Sequence, residues 1–233
     1  MPEPLSVLER RVLGVLVEKA LTAASPEPLS LNAIVIGCNQ KSNRDPLMSL
    51  EEPEVDTCLE KLQRKGCVFR VTGGRVERWR HNLYDNWKVT KPELAFIGEL
   101  LLRGPQSAAE ARARASRMEP IDNDSATGVI RHLVELGFVV WLMPEERRGA
   151  TLTHGLHSPE ELARYKSSAA SGHRLEEIAP PATSLVLAPS AATPPDNRLV
   201  EAFEDIATLK REVVELRAMV VNLQEALGIT AKP

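Results

Sequence analysis

The sequence predicts a mainly α-helical protein with small β-hairpins, an α+β fold class. Three observations predict it: an internal repeat of helices, a short apolar strand after a glycine in both copies, and heptads near the end. We expect tandem winged helix-turn-helix domains, a linker and a C-terminal coiled-coil helix. The predicted boundaries are residues 4–85 and 88–157 for the winged domains, 158–166 for a short helix, 167–197 for the linker and 198–228 for the coiled coil.

The first helix of each repeat is predicted from two segments that align with one another. "LSVLERRVLGVLVEKA" resembles "VTKPELAFIGELLLRG" 84 residues later, and both carry apolar residues at helical spacing. Ser6 and Glu9 in the first segment correspond to Thr90 and Glu93 in the second. This is the capping-box pattern, in which the hydroxyl and the carboxylate each satisfy a free backbone N–H at a helix start.

The third helix and the hairpin follow from a second pair of aligned segments, "VDTCLEKLQRKGCVFRV" and "ATGVIRHLVELGFVVWL". Gly66 and Gly137 end the helical pattern at the same point, as a left-handed C-cap requires, and an apolar strand follows each. "RVERWRH" and "ATLTH" supply the second strands. Three helices and a hairpin are the order of a winged helix. Two generic helical hairpins with irregular loops are the alternative.

The second helices, from "SLNAIVIGCNQ" and "SAAEARARASRM", are followed by a loop that differs between the repeats. In the first repeat the polar stretch "GCNQKSNRDPLMSL" is longer by six residues than its counterpart. One interpretation is structural: Asn39 and Asn43 close turns, and Ser49 caps the third helix. The other is functional, with Lys41 and Arg44 exposed together on one surface.

The C-terminal part changes from a linker rich in Ala, Ser and Pro to a regular heptad pattern. Mostly β-branched residues at position a and leucines at d favour a parallel dimer, although a trimer or a helix folded back on its own domain stays open. The residues predicted to form the dimer interface are Leu199, Ile206, Leu209, Val213, Leu216, Val220, Leu223 and Leu227.

Several function classes find no support in the sequence. We see no glycine-rich phosphate loop, no catalytic motif and no metal-ligand spacing, so we expect no enzyme activity, no metal and no cofactor. The longest apolar run, "FVVWLM", is far short of the roughly 20 residues that cross a bilayer. Three cysteines without a Cys-x-x-Cys pair suit a reducing compartment, so a cytoplasmic location is expected and no membrane partner.

Nucleic-acid binding is the sharper hypothesis, because positive charge concentrates in one segment of a chain whose net charge is −3. Residues 61–80 hold seven basic residues and one acidic residue. The candidate DNA contacts are Lys41, Asn43, Arg44, Lys61, Arg64, Lys65, Arg75, Arg78 and Arg80. The acidic start of the third helix, with Glu51, Glu52 and Glu54, argues against ordinary groove reading.

The segment "CNQKSNRDP", with "LSLNAIVIG" before it, resembles the signature of the bacterial YceH family of tandem winged-helix proteins. The matching residues are Cys38, Asn39, Gln40, Lys41, Asn43, Arg44 and Pro46. The resemblance covers about residues 4–157, whereas the linker and heptads look additional to compact members of that family.

The resemblance supports the fold and assigns no activity. Our leading hypothesis is a non-enzymatic, regulator-like protein that binds double-stranded DNA and forms a homodimer through its C-terminal helix. The alternative is a protein-interaction or scaffold module that does not touch DNA. The two predicted domains are nearly neutral, with 13 basic and 12 acidic residues over 1–88, which favours the alternative. The sequence identifies no protein partner.

Overall fold

The computed structural model describes residues 2–23, 28–73, 76–147 and 149–171 and has an α+β fold. The first repeat contains α1 (Val7–Thr22), β1 (Leu29–Ser30), α2 (Leu31–Cys38), α3 (Glu52–Arg64), β2 (Val68–Val71) and β3 (Arg78–His81). A short helix, α4 (Leu83–Trp87), links the repeats. The second repeat contains α5 (Lys91–Arg103), β4 (Gln106–Ser107), α6 (Ala108–Ala115), α7 (Asn123–Glu135), β5 (Val139–Trp141) and β6 (Thr151–His154).

A last helix, α8 (Pro159–Ser171), follows the second repeat and runs past Lys166, where the sequence analysis placed the start of the linker. The heptad residues of the predicted coiled coil and the rest of the linker lie outside the described residues. Within the described ranges, no helix is both long and apolar enough to span a membrane.

Both predicted capping boxes are present at the starts of α1 and α5. The Ser6 N–H donates to Glu9 Oε2 at 2.8 Å, and the Glu9 N–H donates to Ser6 Oγ at 3.2 Å. The Thr90 N–H donates to Glu93 Oε2 at 2.7 Å. These contacts satisfy backbone donors that have no carbonyl partner in the first turn, which is why the helices begin there.

The predicted glycine C-caps end the third helix of each repeat. Gly66 and Gly137 have φ of 69° and 78°, the left-handed region that favours glycine. The Cys67 N–H donates to the Leu62 carbonyl at 2.9 Å, and the Phe138 N–H donates to the Leu133 carbonyl at 2.8 Å. This Schellman geometry turns the chain at the same point in both repeats and directs it into a strand.

Each repeat has a three-stranded antiparallel sheet instead of the predicted two-stranded hairpin. The strand orders are β1-β3-β2 and β4-β6-β5, with Leu29 opposite Trp79 and Gln106 opposite Leu152. The extra strands β1 and β4 are two residues long, too short to show an alternating pattern. In β3 the side chains alternate as expected, with Trp79 buried and Arg78 and Arg80 exposed.

The two repeats share one hydrophobic core, centred on the crossing of α1 and α5. Gly14 and Gly98, which correspond in the repeat, permit the close approach. A Cβ atom on Gly14 would lie 2.8 Å from Leu102 Cδ2, and one on Gly98 would lie 2.7 Å from Val17 Cγ1. Glycines at matched positions therefore let each helix receive the side chains of the other.

Candidate nucleic-acid interface

The loop between α2 and α3, residues 39–51, contains most of the family signature, and we call it the signature loop. It folds inward around Arg44, whose side chain has 0% of its surface exposed. Its guanidinium donates to Glu18 Oε2 at 2.6 Å, to Gln40 Oε1 at 2.7 Å and to the Asn43 carbonyl at 2.8 Å. Its Nε donates to the Gly37 carbonyl at 3.0 Å. Arg44 is therefore a structural residue, contrary to its assignment as a DNA contact, because a carboxylate on α1, the Gly37 carbonyl at the end of α2 and acceptors in the loop take up its donors.

Arg11 on α1 reinforces the same loop from the other side. Its guanidinium donates to the Cys38 carbonyl at 3.0 Å and to the Pro46 carbonyl at 2.5 Å. Burial lowers the pKa of Arg11 to about 10, so the group stays protonated at neutral pH. Two buried arginines thus close the loop over its own carbonyl groups.

Asn39 and Asn43 complete the loop, as the structural interpretation predicts. The Asn39 side chain donates to the Leu50 carbonyl and accepts from the Leu50 N–H, both at 2.8 Å. Asn43 has a φ of 62°, and its side-chain oxygen accepts a hydrogen bond from Arg103 of α5. The Asp45 N–H donates to the Leu102 carbonyl at 2.8 Å, so the loop fastens the first repeat to the second.

Lys41 remains exposed in this loop, but Arg44 does not lie beside it on the surface. Ser49 does not cap α3 either, because the helix begins at Glu52 and Glu51 is the N-cap. The Glu51 N–H donates to Glu54 Oε2 at 2.9 Å. Exposed carboxylates therefore surround the start of α3, where they complement the helix dipole and repel phosphate.

Lys65, another predicted DNA contact, is held by carboxylates near the start of the chain. Its ammonium lies 3.1 Å from Glu9 Oε1 and 3.3 Å from Glu3 Oε1. Glu9 is the capping residue of α1, so Lys65 ties the end of α3 to the start of α1. Its charge is neutralised in place and does not form part of an open basic surface.

Arg70 joins α3 to the sheet. Its guanidinium lies 3.8 Å from Glu60 on α3 and 3.2 Å from Glu77, and it stacks over the Trp79 ring at 4.8 Å. A cation that bridges two carboxylates and an aromatic face fixes the position of the hairpin relative to the helix.

Besides Lys41 and Asn43 in the loop, four predicted contacts on α3 and β3 are exposed: Lys61 and Arg64 on α3, and Arg78 and Arg80 on β3. We call these four residues the basic set. Within the described ranges, none of the four forms an ion pair with a carboxylate. Arg78 donates to the Pro28 carbonyl at 3.0 Å, and Arg80 lies over the Phe69 ring at 5.4 Å. The ninth candidate, Arg75, lies outside the described residues.

The second repeat has no equivalent of the basic set. The positions of α7 that correspond to Lys61 and Arg64 are His132 and Glu135. His132 Nδ1 lies 2.5 Å from Glu93 Oε1, and this carboxylate raises the pKa of the imidazole. The exposed pair of cations near the end of the third helix is therefore a feature of the first repeat, whereas α7 carries the exposed Arg131 at another position.

A second polar cluster joins α1 to the end of the second repeat. Arg10 donates to Glu161 at 2.9 Å and contacts His157 Nδ1 at 2.6 Å, and His157 stacks on His154 at 3.9 Å. Both imidazoles are buried. In the described part of the chain, no three His, Cys, Asp or Glu residues are grouped so that they could hold a metal ion.

Comparison with known proteins places these features in one family. A family model described as "Protein of unknown function, DUF480" matches residues 5–146. The UPF0502 protein RB6530 of Rhodopirellula baltica is 46% identical over 162 residues, which cover 69% of this chain and 68% of the relative. A UPF0502 protein of Pelobacter propionicus is 36% identical over 214 residues, which cover 91% of this chain and 93% of the relative.

The match to the Pelobacter propionicus relative corrects the expectation that the linker and heptads are additional to the family. A match over 91% of the chain must include part of the segment after residue 166. The C-terminal part is therefore shared with at least one relative, and it is not purely an addition to a compact family. A UPF0502 protein of Pseudomonas aeruginosa is 38% identical over 186 residues, which cover 78% of this chain and 82% of the relative.

Proposed function

The chain belongs to the DUF480 family, described as proteins of unknown function, and from that premise we propose that it is a non-enzymatic, DNA-binding, regulator-like protein. In this proposal the two repeats are tandem winged helix-turn-helix domains. The element order supports it, because each repeat has three helices followed by a hairpin, with a short strand before the second helix.

The observation that carries the proposal is the exposure of the basic set on two elements of the first repeat. Lys61 and Arg64 lie three residues apart near the end of α3, and Arg78 and Arg80 share the outer face of β3. None of the four is neutralised by a carboxylate in the described ranges. Free cations on a helix and on the adjoining hairpin are suited to phosphate groups of a duplex.

The acidic start of α3 determines which kind of binding is proposed. Glu51, Glu52 and Glu54 would meet the base edges in an ordinary recognition helix, and their charge repels the backbone. We therefore propose contacts to phosphate and sugar from the C-terminal half of α3 and from β3. Such binding depends strongly on salt and weakly on sequence.

A polarisation titration of the full chain against a mixed-sequence fluorescent duplex tests this proposal. The double variant Lys61→Gln/Arg64→Gln should weaken binding at least about tenfold at low salt, because two phosphate contacts are lost. The matched control is Arg131→Gln, which removes an exposed cation from the corresponding helix of the second repeat and should leave affinity unchanged. Equal affinities for all three proteins, or no binding at low salt, would remove the proposal.

The proposed assembly is a homodimer formed by the C-terminal heptads, which lie outside the described residues. Sedimentation of the full chain should give twice the monomer mass. The variant Leu209→Asp/Leu216→Asp should give the monomer mass, because two charges at d positions cannot be buried in a coiled coil. A monomeric parent chain would contradict this part of the proposal.

A protein-interaction module is the second candidate, and two exposed apolar residues favour it. Ile36 on α2 is 60% exposed and Leu47 in the signature loop is 65% exposed. This second proposal places both side chains in one apolar patch, the kind of exposed surface that marks interaction sites. Under this alternative, Ile36→Ser/Leu47→Ser should remove bound proteins from a cross-linked pull-down that Lys61→Gln/Arg64→Gln leaves intact.

A further inference from the structure

A cavity of about 340 Å³ opens beside the sheet of the first repeat. Its apolar wall comes from Leu16, Ala20 and Leu21 on α1, with Leu29 of β1 and the buried Trp79 of β3. A volume above roughly 300 Å³ with a mainly apolar wall is typical of small-molecule sites. Trp79 alternates with the exposed Arg78 and Arg80 along β3, and the Arg80 side chain also contributes to the edge of the cavity.

The polar wall of the cavity contains two side chains with unused hydrogen-bonding capacity. His81 Nδ1 accepts the Leu83 N–H at 3.4 Å, which leaves the ring proton on Nε2. Burial and the neighbouring Arg80 lower the pKa of His81 to about 4, so the ring is neutral at pH 7. Tyr84 packs against this ring at 5.5 Å, and within the described residues neither His81 Nε2 nor the Tyr84 hydroxyl has a hydrogen-bond partner.

The charge of the lining residues favours an anion. Arg80 and Lys91 contribute to the cavity wall, and none of the described residues that line it is acidic. The Lys91 ammonium, at the start of α5, lies 2.6 Å from Glu119 and is 54% exposed. An anionic ligand would therefore compete with a solvent-accessible ion pair, which holds Lys91 only weakly.

We propose that this cavity binds a small aromatic carboxylate, with the ring against Leu16, Ala20 and Trp79 and the carboxylate near His81, Tyr84 and Lys91. The wall's apolar residues exclude water from the ring, and the two free donors satisfy the carboxylate oxygens. The cavity shares Arg80 with the proposed DNA contacts, but binding of the carboxylate does not require DNA and is tested without it.

Isothermal titration of the full chain with 2-naphthoate and with the neutral 2-naphthamide tests the site. We expect one naphthoate per chain, bound about tenfold more tightly than the amide, because the carboxylate gains charge-assisted hydrogen bonds. Lys91→Gln should reduce this preference severalfold without changing amide binding. Lys41→Gln, an exposed cation in the signature loop, is the matched control and should keep the parent preference.

A cavity-filling variant locates the binding. Ala20→Phe should abolish binding of both probes, provided that its circular dichroism spectrum and urea midpoint stay near those of the parent. If it fails to fold, the Lys91→Gln result decides. The proposal is overturned if neither probe binds at millimolar concentration, if both bind equally, or if Lys91→Gln and Lys41→Gln behave alike.

Discussion

Replacing Arg44 by glutamine should destabilise the protein, because the structure places this cation inside the loop. The substitution removes donors from Glu18, from Gln40 and from the carbonyls of Gly37 and Asn43. Breaking a buried ion pair costs about 3–5 kcal/mol, and the 21% exposure of the Glu18 side chain lets water recover part of that cost. We therefore expect a loss of about 2–3 kcal/mol in the free energy of unfolding.

Urea denaturation followed by circular dichroism measures this loss. With a slope of about 2 kcal/mol per molar urea, the midpoint should fall by roughly 1 M. Lys41→Gln, three residues away and exposed, should change stability by less than about 0.5 kcal/mol. In the double variant with Glu18→Gln, the cost should be smaller than the sum of the single costs, because neither partner is then left charged.

The buried position of Arg44 would be contradicted if Arg44→Gln lowered the free energy of unfolding by less than about 1 kcal/mol. It would also be contradicted if the costs of Arg44→Gln and Glu18→Gln were strictly additive in the double variant. Either result would mean that the guanidinium is in contact with water and available to a ligand. The hypothesis that Arg44 contacts DNA would then regain support.

Three further outcomes follow from the core. Gly14→Ala and Gly98→Ala should each cost about 1–3 kcal/mol in a urea titration, because the added methyl group overlaps the facing helix; unchanged midpoints would contradict the close crossing. Burial and Arg10 lower the pKa of His157 to about 4, whereas the imidazole of the unfolded chain protonates near 6.5, so the free energy of unfolding should fall as the pH drops from 6.5 towards 4. His157→Gln should make this pH dependence less steep, and an unchanged dependence would contradict the role of His157. The three buried thiols should react with a disulfide reagent only when the protein unfolds. Burial raises the pKa of Cys38 and Cys58 to about 12 and that of Cys67 to about 11. Rapid labelling of the native protein would contradict this prediction.

The helix ends and the repeat were predictable because their signals are local. A capping box needs Ser6 and Glu9 only, and a Schellman turn needs a glycine after an apolar periodic segment. The shared core had a weaker local signal. In the structure, nine consecutive residues of α1, from 9 to 17, are buried, which places this helix at the centre of the core that the two repeats share. The predicted boundaries, 4–85 and 88–157, place α1 and α5 in different winged-helix domains.

The direction of the signature loop was not predictable from its composition. A polar segment is expected to be exposed, whereas the buried Arg44 forms an ion pair with Glu18 of α1, 26 residues earlier in the chain. Lys65 likewise forms an ion pair with Glu9, and His157 contacts Arg10, from which it is separated by 147 residues in the sequence. Spacing along the chain contains no information on such contacts. Of the nine candidate DNA contacts, five are cations that stay exposed without a carboxylate partner in the described ranges: Lys41, Lys61, Arg64, Arg78 and Arg80.

The missed cavity has the same origin. In the sequence, the second strand of the hairpin and the segment after it contain Trp79, His81 and Tyr84. These residues line a cavity only because α1 packs against the sheet. An alternating strand pattern correctly indicates that Trp79 and His81 face inward. It does not indicate that space remains beside them.

The salt dependence of DNA affinity tests the central proposal most directly. If the basic set makes four phosphate contacts, the logarithm of the association constant should fall with a slope of about −3.6 against the logarithm of salt concentration. Raising salt from about 50 to about 200 mM should then weaken binding roughly 150-fold, and Lys61→Gln/Arg64→Gln should reduce the slope to about −1.8. A slope near zero, or one that this variant leaves unchanged, would contradict the assignment of DNA binding to the first repeat.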